Sequence, residues 1–343
     1  MAKTNSGRFF EDYTVGDVIK HAVPRTVSGG ERALYHALYP ARHALYSSDE
    51  FAALVGLPRA PLDDLAAFHI VFGKTVPDVS LNAVANLGYG EGRWLLPVYE
   101  GDTLRSESEV IGVKQNSNGK SGVVYVRTRG LNQNDDVVME YVRWVMVRKR
   151  DLAAAAPDTV IPELSKVIDP ADLVILTGLD FSNYDFTLAG EPHRWGDYEI
   201  GETIDHVDGV TVEEAEHMLA TRLWQNTAKV HFDTTARPDG TRLIYGGHVI
   251  SMARALSFNG LANAQMIVGL NGGAHANPCL SGTTIRAWSE VLDKAETAAP
   301  GVGAIRLRLV AISGGEAFAL KGEDGKYRPE VLLDLDYWAL MPL

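Results

Sequence analysis

Two stretches of the chain are almost wholly apolar over the length of a helix: residues 65–76 and residues 249–262. A helix with so little polar surface must be covered on most of its sides. The pattern therefore predicts two central helices, each enclosed by other elements of the fold.

The segments that follow each apolar stretch alternate apolar and charged residues. Residues 142–146 do so in the first half of the chain, and residues 305–309 and 333–337 do so in the second. A period of two is typical of a strand with one buried face and one face in solvent. We expect these strands to form curved antiparallel sheets around the helices.

The two halves of the chain resemble one another. Residues 10–19 read like residues 195–204 at an offset of 185, and residues 97–104 read like residues 278–285 at an offset of 181. Self-similarity at this length indicates one structural unit present twice.

Each half also carries the spacing of a capping box ahead of a short helix. Ser28 and Glu31 form it in the first half, and Thr211 and Glu214 in the second. In such a box the hydroxyl and the carboxylate cap the free N–H groups at the start of a helix. We predict a capped helix at both places.

A central helix wrapped by a curved antiparallel sheet is the hot-dog arrangement. The predicted fold class is α+β, a tandem (double) hot-dog fold, whose two sheets pair edge to edge and so protect their exposed edges. We expect an N-terminal unit over residues 1–150, a linker over 151–185 that includes an alanine run, and a C-terminal unit over 186–343.

Composition and charge narrow the function classes. The 343 residues are 46% hydrophobic and 22% charged, as in a globular protein of about two domains. The net charge of −12 disfavours binding to nucleic acid or to an anionic membrane. With Cys279 as the sole cysteine, a polar N-terminus and no long apolar span, we expect a cytoplasmic protein without disulfides.

The residues best suited to chemistry lie in the second half. Asn226, His231 and Asp233 follow its predicted capped helix, and residues 245–248 (Tyr-Gly-Gly-His) open its central helix. Histidine is suited to act as a general base near neutral pH. The first turn of a helix offers free N–H groups and the positive end of the helix dipole.

This order resembles the MaoC-like, R-specific enoyl-CoA hydratase family, which has a carboxylate, four residues, a histidine and then a glycine at the start of the central helix. His231 falls on the histidine, Asn226 on the carboxylate, Asp233 on the aspartate of a common His-x-Asp, and Gly247 on the glycine. The chain departs from the family at Asn226, where aspartate is usual, and at Gly246, where histidine is usual.

The resemblance implies water addition to an α,β-unsaturated thioester. The catalytic residues would be His231, Asn226 and Asp233, and Tyr245, Gly246, Gly247 and His248 would bind substrate. Because an amide takes up no proton, either His231 is the sole base and Asn226 orients the water, or Asp233 or another carboxylate completes an acid/base pair.

The first half looks degenerate as a catalyst. At the offset of 185, Ala41 stands where the second half has Asn226, and Tyr46 where it has His231. Its central helix opens at residues 61–64 without a glycine pair. We expect this half to cradle the acyl-CoA.

Over nearly its whole length the chain is similar to fused double hot-dog hydratases, in particular the mesaconyl-CoA hydratase family. The similar stretches are residues 9–13, 245–248 and 271–278. The resemblance implies reversible hydration of mesaconyl-CoA to β-methylmalyl-CoA. It also implies no metal or other cofactor, coenzyme A being part of the substrate, and a homo-oligomer, by resemblance a dimer.

Three points stay open at the level of sequence. A substrate carboxylate needs a donor such as Arg42, Arg254 or Arg286, with His248 and His275 as further candidates, and the sequence places none of them in a pocket. A hot-dog acyl-CoA thioesterase is one alternative function. A non-catalytic acyl-CoA-binding subunit, suggested by Asn226, is the other.

Overall fold

The computed structural model describes residues 3–315 and 318–343, and these form one ten-stranded antiparallel sheet with helices packed against it. The strands within them are β1 (Val18–Thr26), β2 (Ala83–Trp94), β3 (Thr103–Gln115), β4 (Ser121–Leu131), β5 (Val137–Arg148), β6 (Thr203–Thr211), β7 (Met266–His275), β8 (Thr284–Glu296), β9 (Val302–Ile312) and β10 (Val331–Pro342).

The strand order in the sheet is β1-β3-β4-β5-β2-β7-β10-β9-β8-β6. Five strands come from each half of the chain, in the same relative order, and β2 pairs with β7 at the centre from Tyr89–Gly273 to Arg93–Gly269. The predicted edge-to-edge pairing into one continuous sheet is therefore confirmed. It leaves only β1 and β6 as edge strands among the described residues.

The helices repeat in the same way. They are α1 (Gly29–Leu38), α2 (Ala44–Ser47), α3 (Asp49–Leu54), α4 (Asp64–Thr75), α5 (Phe186–Ala189), α6 (Glu214–Leu223), α7 (Lys229–Phe232), α8 (Gly246–Leu256) and α9 (Phe258–Leu261). Both α6 and α7 begin 185 residues after α1 and α2, which is the offset seen in the sequence.

The central helices are α4 and α8, as the apolar stretches predict. Every residue of α4 is buried, and so is most of α8. The two helices contact each other through polar side chains, since the Ser251 hydroxyl lies 2.7 Å from His69 Nε2. The second apolar stretch is not one helix, because Asn259 and Gly260 have non-helical backbone angles and separate α8 from α9.

One of the two predicted capping boxes forms. Ser28 caps α1 by accepting a hydrogen bond from Gly30 N, and Glu31 accepts one from Ser28 N. The prediction for the second half is wrong: Thr211 ends β6 and its hydroxyl bonds Thr284, so α6 starts without a side-chain cap. The spacing is present there, but the threonine is held in the sheet.

The alternating pattern gives the correct buried face for two of three strands. In β9 and β10 the charged side chains lie on the half-exposed face, as expected. In β5 the phase is reversed, since Arg143 is fully buried and Trp144 is half-buried on the outer face. A strand with apolar residues on both faces leaves its phase undetermined by pattern alone.

Residues 151–185 connect the halves without a named strand. Val160 forms an antiparallel bridge with Val113 of β3, and the ring of Phe181 is buried. Ile168 and Leu176 are buried in the same cluster as Trp338. This segment is thus packed on the sheet over much of its length.

Within residues 3–315 and 318–343, none of the helices combines the length and the apolar character needed to cross a bilayer.

Candidate active site

A cavity of about 300 Å³ lies between the two halves of the molecule. Its exposed rim includes Val84, Ala85 and Pro278. The first half contributes residues from the end of α4 and from β2 and β5, and the second half contributes the loop before α7, α7 itself and the loops around β7. The polar residues of its wall are Ser80, Asn86, Tyr89, Arg143, Asn226, His231, Tyr245, His275 and Asn277.

His231 stands in this wall on the short helix α7, as the sequence predicts. Its Nδ1 lies 2.8 Å from the carbonyl oxygen of Leu243. A carbonyl only accepts, so Nδ1 carries the proton and Nε2 keeps its lone pair. Burial lowers the pKa of His231 below its usual value, which keeps the imidazole neutral at physiological pH and its Nε2 free to accept a proton.

Asn226 lies in the same wall and is almost fully buried. Its Oδ1 accepts a hydrogen bond from Ala228 N at 3.2 Å, and its own N–H donates to Thr221 O at 3.0 Å. The amide orientation follows from Ala228, because only an oxygen can face a backbone N–H. Its NH₂ group has no partner in the part of the chain that the structure describes, and so remains available as a donor.

Tyr245 also lines the cavity and precedes the first turn of α8. Its N–H donates to His217 Nε2 at 2.8 Å, and its hydroxyl lies 3.2 Å from His69 Nδ1. Burial holds the pKa of His217 at about 3, so that ring is a neutral acceptor. Tyr245 is thereby fixed between the two central helices.

The glycine pair at the start of α8 makes room for two rings. A Cβ on Gly246 would lie 2.4 Å from the His275 ring, and one on Gly247 would lie 2.4 Å from the ring of Tyr245. Neither glycine belongs to the cavity wall. The prediction that these glycines contact substrate is therefore not supported by their position; they make room for the side chains that line the cavity.

Two further predicted residues lie outside the cavity wall. His248 is fully buried behind it, with Nε2 3.3 Å from Glu216 Oε1. Asp233 is exposed, and its carboxylate accepts from the N–H and the hydroxyl of Thr235 at 2.8 and 2.7 Å. The structure therefore does not bring Asp233 to His231, and the alternative in which it completes an acid/base pair has no geometric support.

The candidate arginines lie elsewhere as well. Arg42 stacks on the ring of Phe258. Arg286 donates to Val207 O. Arg254 donates to backbone carbonyls and to the Ser257 hydroxyl. None of the three arginines lines the cavity.

Several polar wall residues were missed by sequence reasoning. Arg143 and Asn86 come from the first half, and Tyr89 bonds His275 across the sheet centre at 3.1 Å. Burial lowers the pKa of His275 to about 4, so it is neutral. The sequence did contain a signal for Arg143, namely an arginine within the apolar run of β5. The alternating pattern places this arginine on the solvent face.

Cys279 lines the cavity as a buried free thiol. Burial raises its pKa to about 11. The thiolate is the nucleophilic form of cysteine, so this residue acts as a packing group.

The equivalent place in the first half is closed. Tyr46 occupies the position of His231 and donates to Asp64 at the start of α4, and Asp64 also accepts from Ile267 N at 2.6 Å. The cavity beside them has a volume of only about 10 Å³, and Leu176 from the connecting segment lines it. This half has neither the histidine nor the space for a second site of the same kind.

Comparison with known proteins bears directly on this geometry. The model of a family described as mesaconyl-CoA hydratase matches residues 1–323. The chain belongs to the mesaconyl-CoA hydratase family. Membership confirms the resemblance inferred from the sequence, and with it the predictions of a MaoC-like hydratase and an enzyme.

Individual relatives agree with the family match. The chain is 76% identical over 341 residues to a mesaconyl-CoA hydratase of Cereibacter sphaeroides, covering 99% of each chain. It is 55% identical over 349 residues to a β-methylmalyl-CoA dehydratase of Chloroflexus aurantiacus, again covering 99% of each.

Solved structures confirm the fold. A MaoC domain protein of Chloroflexus aurantiacus has a TM-score of 0.97 at 55% identity, covering 100% of this chain and 99% of the other. A Mycobacterium tuberculosis protein described as having a double hotdog fold has a TM-score of 0.77 at 24% identity, with 98% of each chain covered. The second likeness concerns the fold alone.

Proposed function

We propose that this protein reversibly adds water to the double bond of mesaconyl-CoA, giving β-methylmalyl-CoA. The observation that carries the proposal is His231: its tautomer is fixed by Leu243 O, and it stands in the wall of the cavity between the halves. The names of the two relatives at 76% and 55% identity describe the two directions of one such reaction.

His231 acts as the base in this scheme. Its Nε2 takes a proton from a water molecule as the water oxygen bonds the β carbon, and the electrons of the double bond move toward the thioester oxygen. The imidazolium then returns a proton to the α carbon, so that the elements of water are added and His231 is regenerated. Asn226 donates from its NH₂ group to the water oxygen and orients it.

The charge that develops on the thioester oxygen needs preorganised donors. The first turn of α8 supplies the positive end of a helix dipole, and within the described residues the N–H groups of Gly246 and Gly247 have no acceptor. Tyr245 and His275 lie between this turn and the cavity. We assign substrate binding to this cluster, with Gly246 and Gly247 setting its shape.

The function is tested by incubating the protein with mesaconyl-CoA and, in parallel, with crotonyl-CoA. We expect loss of enoyl absorbance with mesaconyl-CoA, faster than with crotonyl-CoA and without release of free thiol. Release of thiol would instead support a thioesterase. No change in either signal would support a non-catalytic acyl-CoA-binding subunit.

The dimer and the cytoplasmic location remain predictions. The edge strands carry exposed apolar side chains, Val18 and Val23 on β1 and Val207 on β6, which a second copy would cover. Sedimentation velocity of the purified protein tests the dimer, and a monomer across the concentration range would contradict it.

A further inference from the structure

The buried face of β5 carries a fully buried arginine that the hydration chemistry above does not use. Arg143 is 0% exposed and forms part of the cavity wall. One terminal nitrogen donates to Thr75 Oγ1 at 2.6 Å, and both terminal nitrogens lie 3.5 Å from Ser80 Oγ. Its guanidinium carbon lies 4.4 Å from the centre of the Phe72 ring.

Arg143 has no acidic partner in the protein as described. Within residues 3–315 and 318–343, no carboxylate oxygen lies within 4.0 Å of it, and its Nε has no hydrogen-bond partner. A guanidinium carries five N–H donors and a permanent charge, and burying it away from water without an anion is strongly unfavourable. An anion in the cavity would supply the missing partner.

The neighbourhood of Arg143 is built from neutral polar groups. The Ser80 and Thr75 hydroxyls face it, and the side-chain amide of Asn86, in the same cavity wall, has neither its oxygen nor its nitrogen bonded within the described chain. The Thr75 hydroxyl donates to Phe72 O, but the Ser80 hydroxyl, the Asn86 amide and the guanidinium together suit a carboxylate, which accepts several hydrogen bonds at once.

Comparison with the other half singles out this arginine. The seventh residue of β10 is Tyr337, where β5 has Arg143. The buried arginine nearest to Tyr337 is Arg254, whose donors are engaged by the Ser257 hydroxyl and by backbone carbonyls outside the cavity. Among the described residues, Arg143 is the buried arginine that lines the cavity and has an unbonded nitrogen.

We propose that Arg143, with Ser80 and Asn86, binds the free carboxylate of a dicarboxylic enoyl-CoA and so makes the site specific for such substrates. The inference rests on the proposed function and adds the residue that recognises the acyl end. A planar guanidinium meets a carboxylate with two parallel hydrogen bonds, which an acyl group ending in methyl does not offer.

The test uses two saturated thioesters that do not react: succinyl-CoA, which ends in a carboxylate, and butyryl-CoA, which ends in a methyl group. Binding of each is measured by calorimetry for the wild type and for Arg143→Met. We expect the dissociation constant of succinyl-CoA to rise by about 30-fold or more and that of butyryl-CoA to change less than about threefold, as for the loss of a charge-assisted pair.

Matched variants keep the result interpretable. Arg129→Met removes an arginine that is 44% exposed on the neighbouring strand β4 and should change neither constant. Arg143→Lys keeps the charge and loses the two-pronged contact, so it should weaken succinyl-CoA binding less than Arg143→Met does.

Equal changes for both thioesters, or none, in the folded Arg143→Met or Arg143→Lys protein would overturn the assignment. Because binding is measured without turnover, this outcome is separate from failure of the proposed function. The wild type could bind succinyl-CoA through Arg143 and yet not hydrate mesaconyl-CoA. That result would support the carboxylate site and contradict the proposed hydratase activity.

Discussion

At the scale of single residues, the site depends on how each polar group is held. Leu243 O fixes the tautomer of His231, and Ala228 N fixes the amide of Asn226. His231 Nε2 is left as an acceptor and the Asn226 NH₂ group as a donor. Together they can deprotonate a water molecule and hold its oxygen in place. No second carboxylate is required for this arrangement.

The pH dependence follows from the pKa of His231. Burial disfavours its charged form and lowers its pKa below 6.5, and a general base is active when neutral. We expect kcat/KM to be constant through neutral pH and to fall only as the pH drops below that lowered pKa. A profile of initial rates from about pH 4.5 to 8 checks this, and an acid limb above 6.5 would contradict it.

Replacing Asn226 by aspartate tests the role of its amide. A carboxylate keeps an acceptor for Ala228 N but loses the NH₂ donor, and its negative charge raises the pKa of His231. We expect Asn226→Asp to lower kcat by about tenfold and to move the acid limb to higher pH. An increase in kcat with an unchanged acid limb would mean that Asn226 does not hold the water.

The residues of the site differ in how visible they are in the sequence. The spacing from Asn226 to His231, and the tyrosine before a glycine pair, pointed to groups that do line the cavity. Arg143 was missed because β5 is apolar on both faces and its phase cannot be read from the pattern. Asp233 was predicted to be catalytic because it lies two residues after His231. That spacing does not tell whether its side chain points into the cavity or caps a turn.

At the scale of elements, the start of α8 joins the fold to the chemistry. Gly246 lies against the ring of His275, which in turn bonds Tyr89 across the pairing of β2 with β7. The central helix, the sheet and the cavity wall therefore meet at one glycine.

Gly246→Ala should disturb this junction. The added Cβ would lie 2.4–2.7 Å from the His275 ring, so the ring must move away from Tyr89. We expect kcat/KM to fall by about tenfold or more while the protein still folds. Gly272→Ala is the matched control on β7, because its Cβ would have nothing within 4 Å. Equal effects of the two substitutions on kcat/KM would show that the junction has no special role.

The elements show where sequence patterns succeed and where they stop. Apolar stretches identified both central helices, because a helix enclosed on all sides has no polar face. The same stretches did not reveal the break at Asn259 and Gly260, and the Thr211 spacing predicted a cap that the sheet prevents. In each case a tertiary contact decided between two locally acceptable conformations.

At the scale of the whole molecule, the two halves contain equivalent cavities that differ in size and in how open they are. One is open, with a volume of about 300 Å³ and several polar side chains in a largely apolar wall. The other, of about 10 Å³, is closed by Tyr46, Asp64 and the connecting segment. Burial and the neighbouring Asp63 raise the pKa of Asp64 to about 8, as expected for a carboxyl group sealed from water.

The two volumes predict one ligand per chain. Calorimetric titration with succinyl-CoA should give a stoichiometry of one per polypeptide, whatever the oligomeric state. Two equivalents per chain would mean that the first half also opens to an acyl-CoA.

His231 carries the proposed chemistry, so the decisive measurement is the rate of enoyl absorbance loss with mesaconyl-CoA in the wild type and in His231→Ala. Removing the general base should lower kcat by roughly 10² to 10⁴-fold while succinyl-CoA still binds, since the rest of the cavity is retained. Unchanged turnover in the folded variant would place the chemistry elsewhere.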